Sequence, residues 1–276
     1  MSKRKEISVD RTPWLDVITH RPSRLFVLLA GFFVANAVIA ELIGVKIFAL
    51  ETTLGFSSWD FNLFGEVGAL QFSAGVLLWP IVFVITDLLN EYYGRRGVKL
   101  LSYLTVGLIV YVFLMIYAAI ALSPADWWVT QSSSRGVPDS QAAFAVTFGQ
   151  GLFIIVGSVL AFLVAQLTDV YIFQSIKRQT GEKWLWLRAT GSTLISQLVD
   201  SFVVLYVAFK LGPELVGGVN DPWPWSRILA VATVQYIFKF ITAVGLTPII
   251  YLAHDWMDKY LGLDVADEMK RRAKGV

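Results

Sequence analysis

The sequence predicts an all-α integral membrane protein of six transmembrane helices, with both termini on the cytoplasmic side and a polar cavity inside the bundle. Three observations predict it: long apolar runs along the chain, a lopsided distribution of Lys and Arg between them, and ionisable residues inside the runs at helical spacing.

The 276 residues are 56% hydrophobic and 16% charged, with a mean hydropathy of +0.61, whereas a soluble domain carries about 25% charged residues. The deficit is concentrated in runs of about 20 residues, long enough to cross a hydrocarbon core of roughly 30 Å as helices. The runs are Leu25–Leu50, Leu70–Tyr93, Val98–Leu122, Leu152–Ile176, Leu185–Phe209 and Ile228–Ala253. A bilayer offers no water to backbone polar groups, so such segments are helical. The chain divides into a cytoplasmic N-terminal segment (1–24), one transmembrane domain (25–253) and a cytoplasmic tail (254–276). The charged stretch before the first run marks that run as a retained span rather than a cleaved signal.

Basic residues fix the orientation. Lys3, Arg4, Lys5, Arg11, Arg21 and Arg24 precede the first span; Arg95, Arg96 and Lys99 follow the second; Lys177, Arg178, Lys183 and Arg188 surround the fourth connection; Lys259, Lys270, Arg271, Arg272 and Lys274 occupy the tail. These eighteen fall on one side, against Arg135, Lys210 and Arg227 on the other. The positive-inside rule places the richer side, with both termini, in the cytoplasm.

The external connections differ from one another. Residues 51–69 mix Glu51, Asp60 and Glu66 with Phe56, Trp59, Phe61 and Phe64, which suits a hairpin partly embedded in the membrane. Trp127 and Trp128 suit the headgroup level, and Asp139–Phe148 reads as a short surface helix. Thr86-Asp87 and Thr168-Asp169 each precede a basic pair by a similar interval, a faint internal echo between two parallel spans.

The functional signal lies in the polar content of the spans. An ionisable group deep in a bilayer costs several kcal/mol and usually faces a bundle interior or a water-filled cavity. Asp87, Asn90 and Glu91 share one helical face, as do Gln166 with Asp169, Gln197 with Asp200, and Gln235 with Lys239, since residues three and four apart are neighbours on a helix. Asn36, Glu41 and Lys46 lie in the first span. At 1.5 Å per residue Lys239 falls near the midplane and Asp87, Glu91 and Asp169 in the cytoplasmic third. A cavity open from midplane to cytoplasm accounts for these depths. The bland alternative is an ion pair of Lys239 with Asp200 or Asp87 that only fixes helix order. Glu91 can instead reach the surface and join Arg95, and Lys46 can snorkel outward.

Enzyme readings do poorly. Neither His20 nor His254 lies deep enough to serve an intramembrane serine nucleophile, cysteine is absent, and no phosphate-binding loop of the Walker type occurs. Neither a metal nor a cofactor is expected, and a net charge of +2 gives no reason to expect a nucleic-acid partner. What remains is a small-molecule transporter in a lipid bilayer.

The segment Trp79-Pro80 through Thr86-Asp87-Leu88-Leu89-Asn90-Glu91-Tyr92-Tyr93-Gly94-Arg95-Arg96 closely resembles the second-span signature of the queuosine precursor transporters, within the vitamin-uptake-transporter group. Gln166-Leu167-Thr168-Asp169-Val170-Tyr171-Ile172-Phe173, then Ser192, Gln197, Asp200 and Ala208-Phe209, and finally Tyr236-Ile237-Phe238-Lys239 are similar to the same family, so the resemblance covers about residues 70–252. Members of the family carry Asn at the position of Gln197, which keeps the amide. The resemblance implies a multi-pass carrier of the bacterial inner membrane that imports 7-cyano-7-deazaguanine (preQ0) and 7-aminomethyl-7-deazaguanine (preQ1), working alone. One alternative is the substrate-binding subunit of an ATP-driven energy-coupling-factor importer. The other is a non-transporting assembly protein with buried ion pairs. A homodimer is left open.

Such a ligand suits the residues. A carboxylate accepts the adjacent N1–H and 2-amino donors of the guanine-like edge in bidentate fashion, and the 6-oxo group needs a donor such as Lys239 or a Gln amide. Asp169 or Asp87 is expected to grip that edge, with Asn90, Gln166, Gln197 and Asn36 adding contacts. Trp79, Tyr171, Phe173 and Tyr236 are candidates for an aromatic wall. Asp200 and Lys239 are expected to balance charge and gate the bundle, and Glu91 to gate or ion-pair.

Overall fold

The computed structural model describes residues 19–59, 61–68, 70–181, 183–216 and 221–274; the basic residues Lys3 to Arg11, and Asp60, lie outside them. The described chain is built from helices α1 (Arg21–Ile43), α2 (Trp79–Ala121), α3 (Ser140–Phe148), α4 (Leu152–Thr180), α5 (Leu185–Tyr206), α6 (Trp225–Leu261) and α7 (Leu263–Lys274), with one-turn helices between them. Among the described residues, five helical stretches are long and apolar enough to cross a membrane: Arg21–Ile43, Trp79–Ala121, Ser140–Thr180, Leu185–Leu215 and Trp225–Leu261.

Helix α1 stops at Ile43 rather than continuing to Leu50, because the chain turns at Gly44 into strand β1 (Ile47–Ala49). The segment expected as a hairpin is one. Strand β2 (Phe61–Leu63) pairs antiparallel with β3 (Glu66–Gly68) across Phe64 and Gly65, both at positive φ, and Asn62 Oδ1 accepts from Gly65 N at 3.1 Å. That two-residue turn with left-handed backbone matches strand twist. Strand β4 (Gln71–Ser73) closes the excursion by pairing antiparallel with β1. Buried Glu51 holds the base, its carboxylate accepting from Leu70 N at 2.6 Å, which keeps its pKa below the usual carboxylate value. The second helix therefore starts at Trp79, nine residues later than the sequence reading placed it, with Pro80 in its first turn, where proline's missing N–H costs nothing.

From Trp79 on, the runs read as two spans, Leu70–Tyr93 and Val98–Leu122, fall in the single stretch α2 (Trp79–Ala121), interrupted at Gly94 (φ 67°, ψ −172°). Helix α1 passes both halves. Phe26 meets Tyr93 beside the break, with ring centroids 5.0 Å apart. Farther along, Phe33 shares a core cluster with Val82 from the first half, and Ala37 shares one with Ile109 and Phe113 from the second. Val82 and Ile109 would lie about 40 Å apart on a straight helix, so the chain doubles back at Gly94.

Helices α4 and α5 pack along one another, and α6 packs against α5. Helix α3, with Asp139 as its N-cap accepting from Ala142 N at 2.9 Å, occupies the segment expected as a short helix. Helix α5 ends in a π-helical turn, Val207–Leu211, and α6 carries Pro248 in its interior. The tail is helical too. Helix α7 returns to α2, placing Ala273 O and Cα at 3.0 and 3.1 Å from where a Cβ on Gly94 would stand.

Gly94 occupies a backbone region that is essentially glycine-only, where another residue costs about 1–3 kcal/mol. Gly94→Ala is therefore expected to lower the apparent unfolding temperature of the detergent-purified protein, and unchanged thermal denaturation would show that the turn tolerates a side chain.

Candidate functional site

Two cavities lie between α2, α4, α5 and α6 and share Trp79 and Phe83 in their linings. The first holds about 440 Å³ of empty space, open solvent at its mouth included, and is faced by Asp87, Thr190, Thr193, Phe238 and Lys239. The second holds about 290 Å³ on the same measure and is faced by Phe162, Gln166, Asp169, Ser196, Gln197 and Asp200. Each polar residue stands on an otherwise apolar helix, so its presence at the wall follows from the helical spacing that places it on the inward face.

Contacts between α2 and α4 set the geometry. Thr86 Oγ1 donates to Val82 O at 2.9 Å and to Gln166 Oε1 at 3.3 Å. Asn90 Nδ2 donates to Asp169 Oδ2 at 3.4 Å, and Ser196 Oγ donates to Asp169 Oδ1 at 3.4 Å. Lys239 pairs with Asp200 Oδ2 at 2.5 Å and reaches Ser201 Oγ at 3.3 Å. Of the six buried side-chain atoms without a hydrogen-bond partner among the described residues, Glu51 Oε2, Ser140 Oγ and His254 Nε2 lie elsewhere, and three are acceptors beside the cavities: Asp87 Oδ1, Asn90 Oδ1 and Gln197 Oε1. A buried polar atom left unpaired costs about 1–3 kcal/mol, so these oxygens mark where a donor-bearing ligand gains most.

One turn beyond Asp87 the polar stripe changes character. Glu91, 1% exposed, accepts from Arg188 Nε at 3.0 Å and Arg188 Nη2 at 2.9 Å and pairs with Lys177 at 3.2 Å. It does not pair with Arg95, because the break at Gly94 lies between them. Lys177 also donates to Glu91 O at 2.7 Å, and Gln174 Nε2 donates to Asn90 O at 2.9 Å. Both carbonyls belong to the last turn before the break, where a helix leaves acceptors without intrahelical donors.

The predicted residues thus divide. Asp87, Gln166, Asp169, Gln197, Asp200 and Lys239 line the cavities, and Asn90 abuts Asp169. Glu91 belongs to the ion network below. Asn36 lines neither cavity and donates to Phe32 O of its own helix at 2.8 Å. Tyr236 lines neither cavity, Tyr171 is 59% exposed and Phe173 packs in a separate core cluster. Of the four expected aromatic residues Trp79 faces both voids, joined by Phe83, Phe162 and Phe238, which the sequence did not distinguish from other apolar positions. Gln174 and Arg188 were also missed. Arg188, a cation inside an apolar run, was the available signal.

Comparison with known proteins places the chain. Residues 73–253 match the family described as "Putative vitamin uptake transporter". The chain is 29% identical to the probable queuosine precursor transporter of Bacillus subtilis over 68% of its own length and 74% of the relative's. It is 23% identical to the queuosine precursor transporter of Escherichia coli, over 62% of this chain and 66% of that one. It is 22% identical to the probable queuosine precursor transporter of Haemophilus influenzae, over 62% and 63%. No solved structure matches. The family match takes in α2, α4, α5 and nearly all of α6, the helices that build both cavities, and on that ground the chain belongs to the vitamin uptake transporter family and is a multi-pass membrane protein.

Proposed function

We propose that the chain crosses a bacterial inner membrane six times, with both termini cytoplasmic, and imports 7-deazaguanine precursors of queuosine through the paired cavities. The observation that carries this reading is the set of unpartnered acceptors, Asp87 Oδ1, Asn90 Oδ1 and Gln197 Oε1, beside cavities walled by Trp79 and Phe83. A deazaguanine is flat and rich in donors: N1–H, the 2-amino group and the pyrrole N–H. The names of the three relatives point to the same ligand class.

In this reading the ring lies against the Trp79–Phe83 pair, as aromatic faces favour offset stacking. Asp169 accepts from N1–H and the 2-amino group, in place of the long 3.4 Å contacts it now makes. The amides of Gln166 and Gln197 complete the edge, and Lys239, held by Asp200, stands at the junction of the two voids. The six-pass count follows from taking the halves of α2 on either side of Gly94 as separate spans. The orientation follows from the Lys/Arg split. A hairpin outside the membrane, tied to the start of α6 by Ser226 Oγ donating to Glu66 Oε1 at 2.7 Å, fits the same topology.

The absence of cysteine makes orientation directly measurable. Cysteines introduced at exposed Ser57 or Ser134 are expected to react with a membrane-impermeant maleimide on intact cells, and cysteines at exposed Arg96 or Lys183 only after permeabilisation. The reverse pattern would invert the topology. For the site, a hydrogen bond to a charged acceptor contributes about 1.5–3 kcal/mol. Asp169→Asn is therefore expected to reduce uptake of radiolabelled 7-deazaguanine precursor by about tenfold or more, at unchanged protein level in the membrane. Full uptake by this variant would remove Asp169 from the binding edge.

A further inference from the structure

We infer that Asp87 is the specificity-determining residue of this site, a receptor for a cationic amine carried by the ligand, so that the protein prefers the aminomethyl form of the heterocycle to the neutral nitrile form. The inference rests on the proposed function and deepens it.

The argument begins with charge. The cavities are faced by three carboxylates, Asp87, Asp169 and Asp200, and by one ammonium, Lys239. Lys239 is engaged by Asp200 at 2.5 Å and by Ser201. The next charged groups toward the Gly94 break are Glu91, Lys177 and Arg188. There the guanidinium of Arg188 is occupied by both Glu91 oxygens and by the carbonyls of Gly181 and Lys183 at 3.1 Å. Over the whole set, four carboxylates face three cations. Glu41, a further buried carboxylate, lies outside both cavities with Ser158 Oγ donating to it at 2.6 Å. The groups that face the cavities are thus predominantly acidic, three carboxylates to one ammonium, a balance that favours a ligand carrying a cation.

Chemistry then assigns the place. Asp169 already receives neutral donors on both oxygens, from Asn90 and Ser196, the arrangement that the neutral N–H edge of a purine-like ring would replace. Asp87 differs. It is 2% exposed, its Oδ1 has no partner among the described residues, and it pairs with no cation among them. A buried carboxylate without a counter-charge is costly, and pairing it with a charge brought by the ligand removes that cost. Asp87 also lines the other void, across Trp79 and Phe83 from Asp169. A ring seated on Asp169 can thus extend a short substituent past the aromatic pair toward Asp87. A primary aminomethyl group is protonated at neutral pH, as an ordinary lysine amine is; a nitrile is neutral and only accepts.

The test is titration of the detergent-purified full-length chain at neutral pH with 7-aminomethyl-7-deazaguanine and 7-cyano-7-deazaguanine, two ligands that share the ring and differ in this substituent. The aminomethyl compound is expected to bind about tenfold or more tightly, the effect of one favourable charge-assisted contact. Asp87→Asn is expected to bring the two affinities together by weakening the aminomethyl compound about tenfold more than the nitrile compound, with folding of the variant read independently from its thermal denaturation. Equal affinities in the wild-type protein, or a nitrile preference, would overturn the role of Asp87 while leaving the proposed transport function standing. Binding of neither compound to folded protein would overturn both. The wild-type comparison decides the matter even if the variant does not fold.

Discussion

The ion network of Glu91, Lys177 and Arg188 is the constraint on which the rest of the interior depends. It joins α2, α4 and α5 through side chains that are 1%, 0% and 3% exposed. Every one of these groups would be costly alone at such depth. Together they satisfy one another, with the carbonyls of Glu91, Gly181 and Lys183 absorbing the remaining donors. Removing one partner of a buried ion pair leaves an uncompensated charge and typically costs 3–5 kcal/mol. The network thus fixes the axial register of three helices at once. Asp87, Asp169 and Gln197 sit one to three turns away on those same helices, so their relative heights follow from it.

Above the network the buried polar groups fall into two kinds. Thr86 is satisfied within the protein, and Lys239 and Asp200 satisfy each other. Asp87, Asn90 and Gln197 each keep an acceptor oxygen without a partner. In a domain whose buried polar atoms are overwhelmingly paired, six side-chain atoms among the described residues lack a partner, and the three of them near the cavities are all acceptors, which favours a ligand that brings donors.

Much of this was legible in the sequence because the bilayer simplifies the reading. Apolar length gives the spans, and a charge inside a span is conspicuous. Asp87, Gln166, Asp169, Gln197, Asp200 and Lys239 stood out by type alone and all face the cavities. Pairing did not stand out. Helical spacing offered Arg95 as the partner of Glu91, but a single residue at positive φ, Gly94, separated them, and the true partners come from 86 and 97 residues away. Asn36 looks the same in the sequence as Asn90. Only packing shows that one bonds its own helix and the other abuts Asp169. The helix start at Trp79 was misread for a related reason: Leu70 to Leu78 is as apolar as a span but is used for a strand and a 3₁₀ turn closing the hairpin.

The tail behaves unlike an appendage. Ala273 rests directly on Gly94, the residue at which α2 doubles back, and Lys270 holds Asp258, whose other oxygen accepts from Tyr92 just before the same turn. Helix α7 in effect covers the bend at Gly94, which is buried beneath it. A change that displaces this helix would therefore bear on the turn at Gly94, only seven residues along the chain from Asp87.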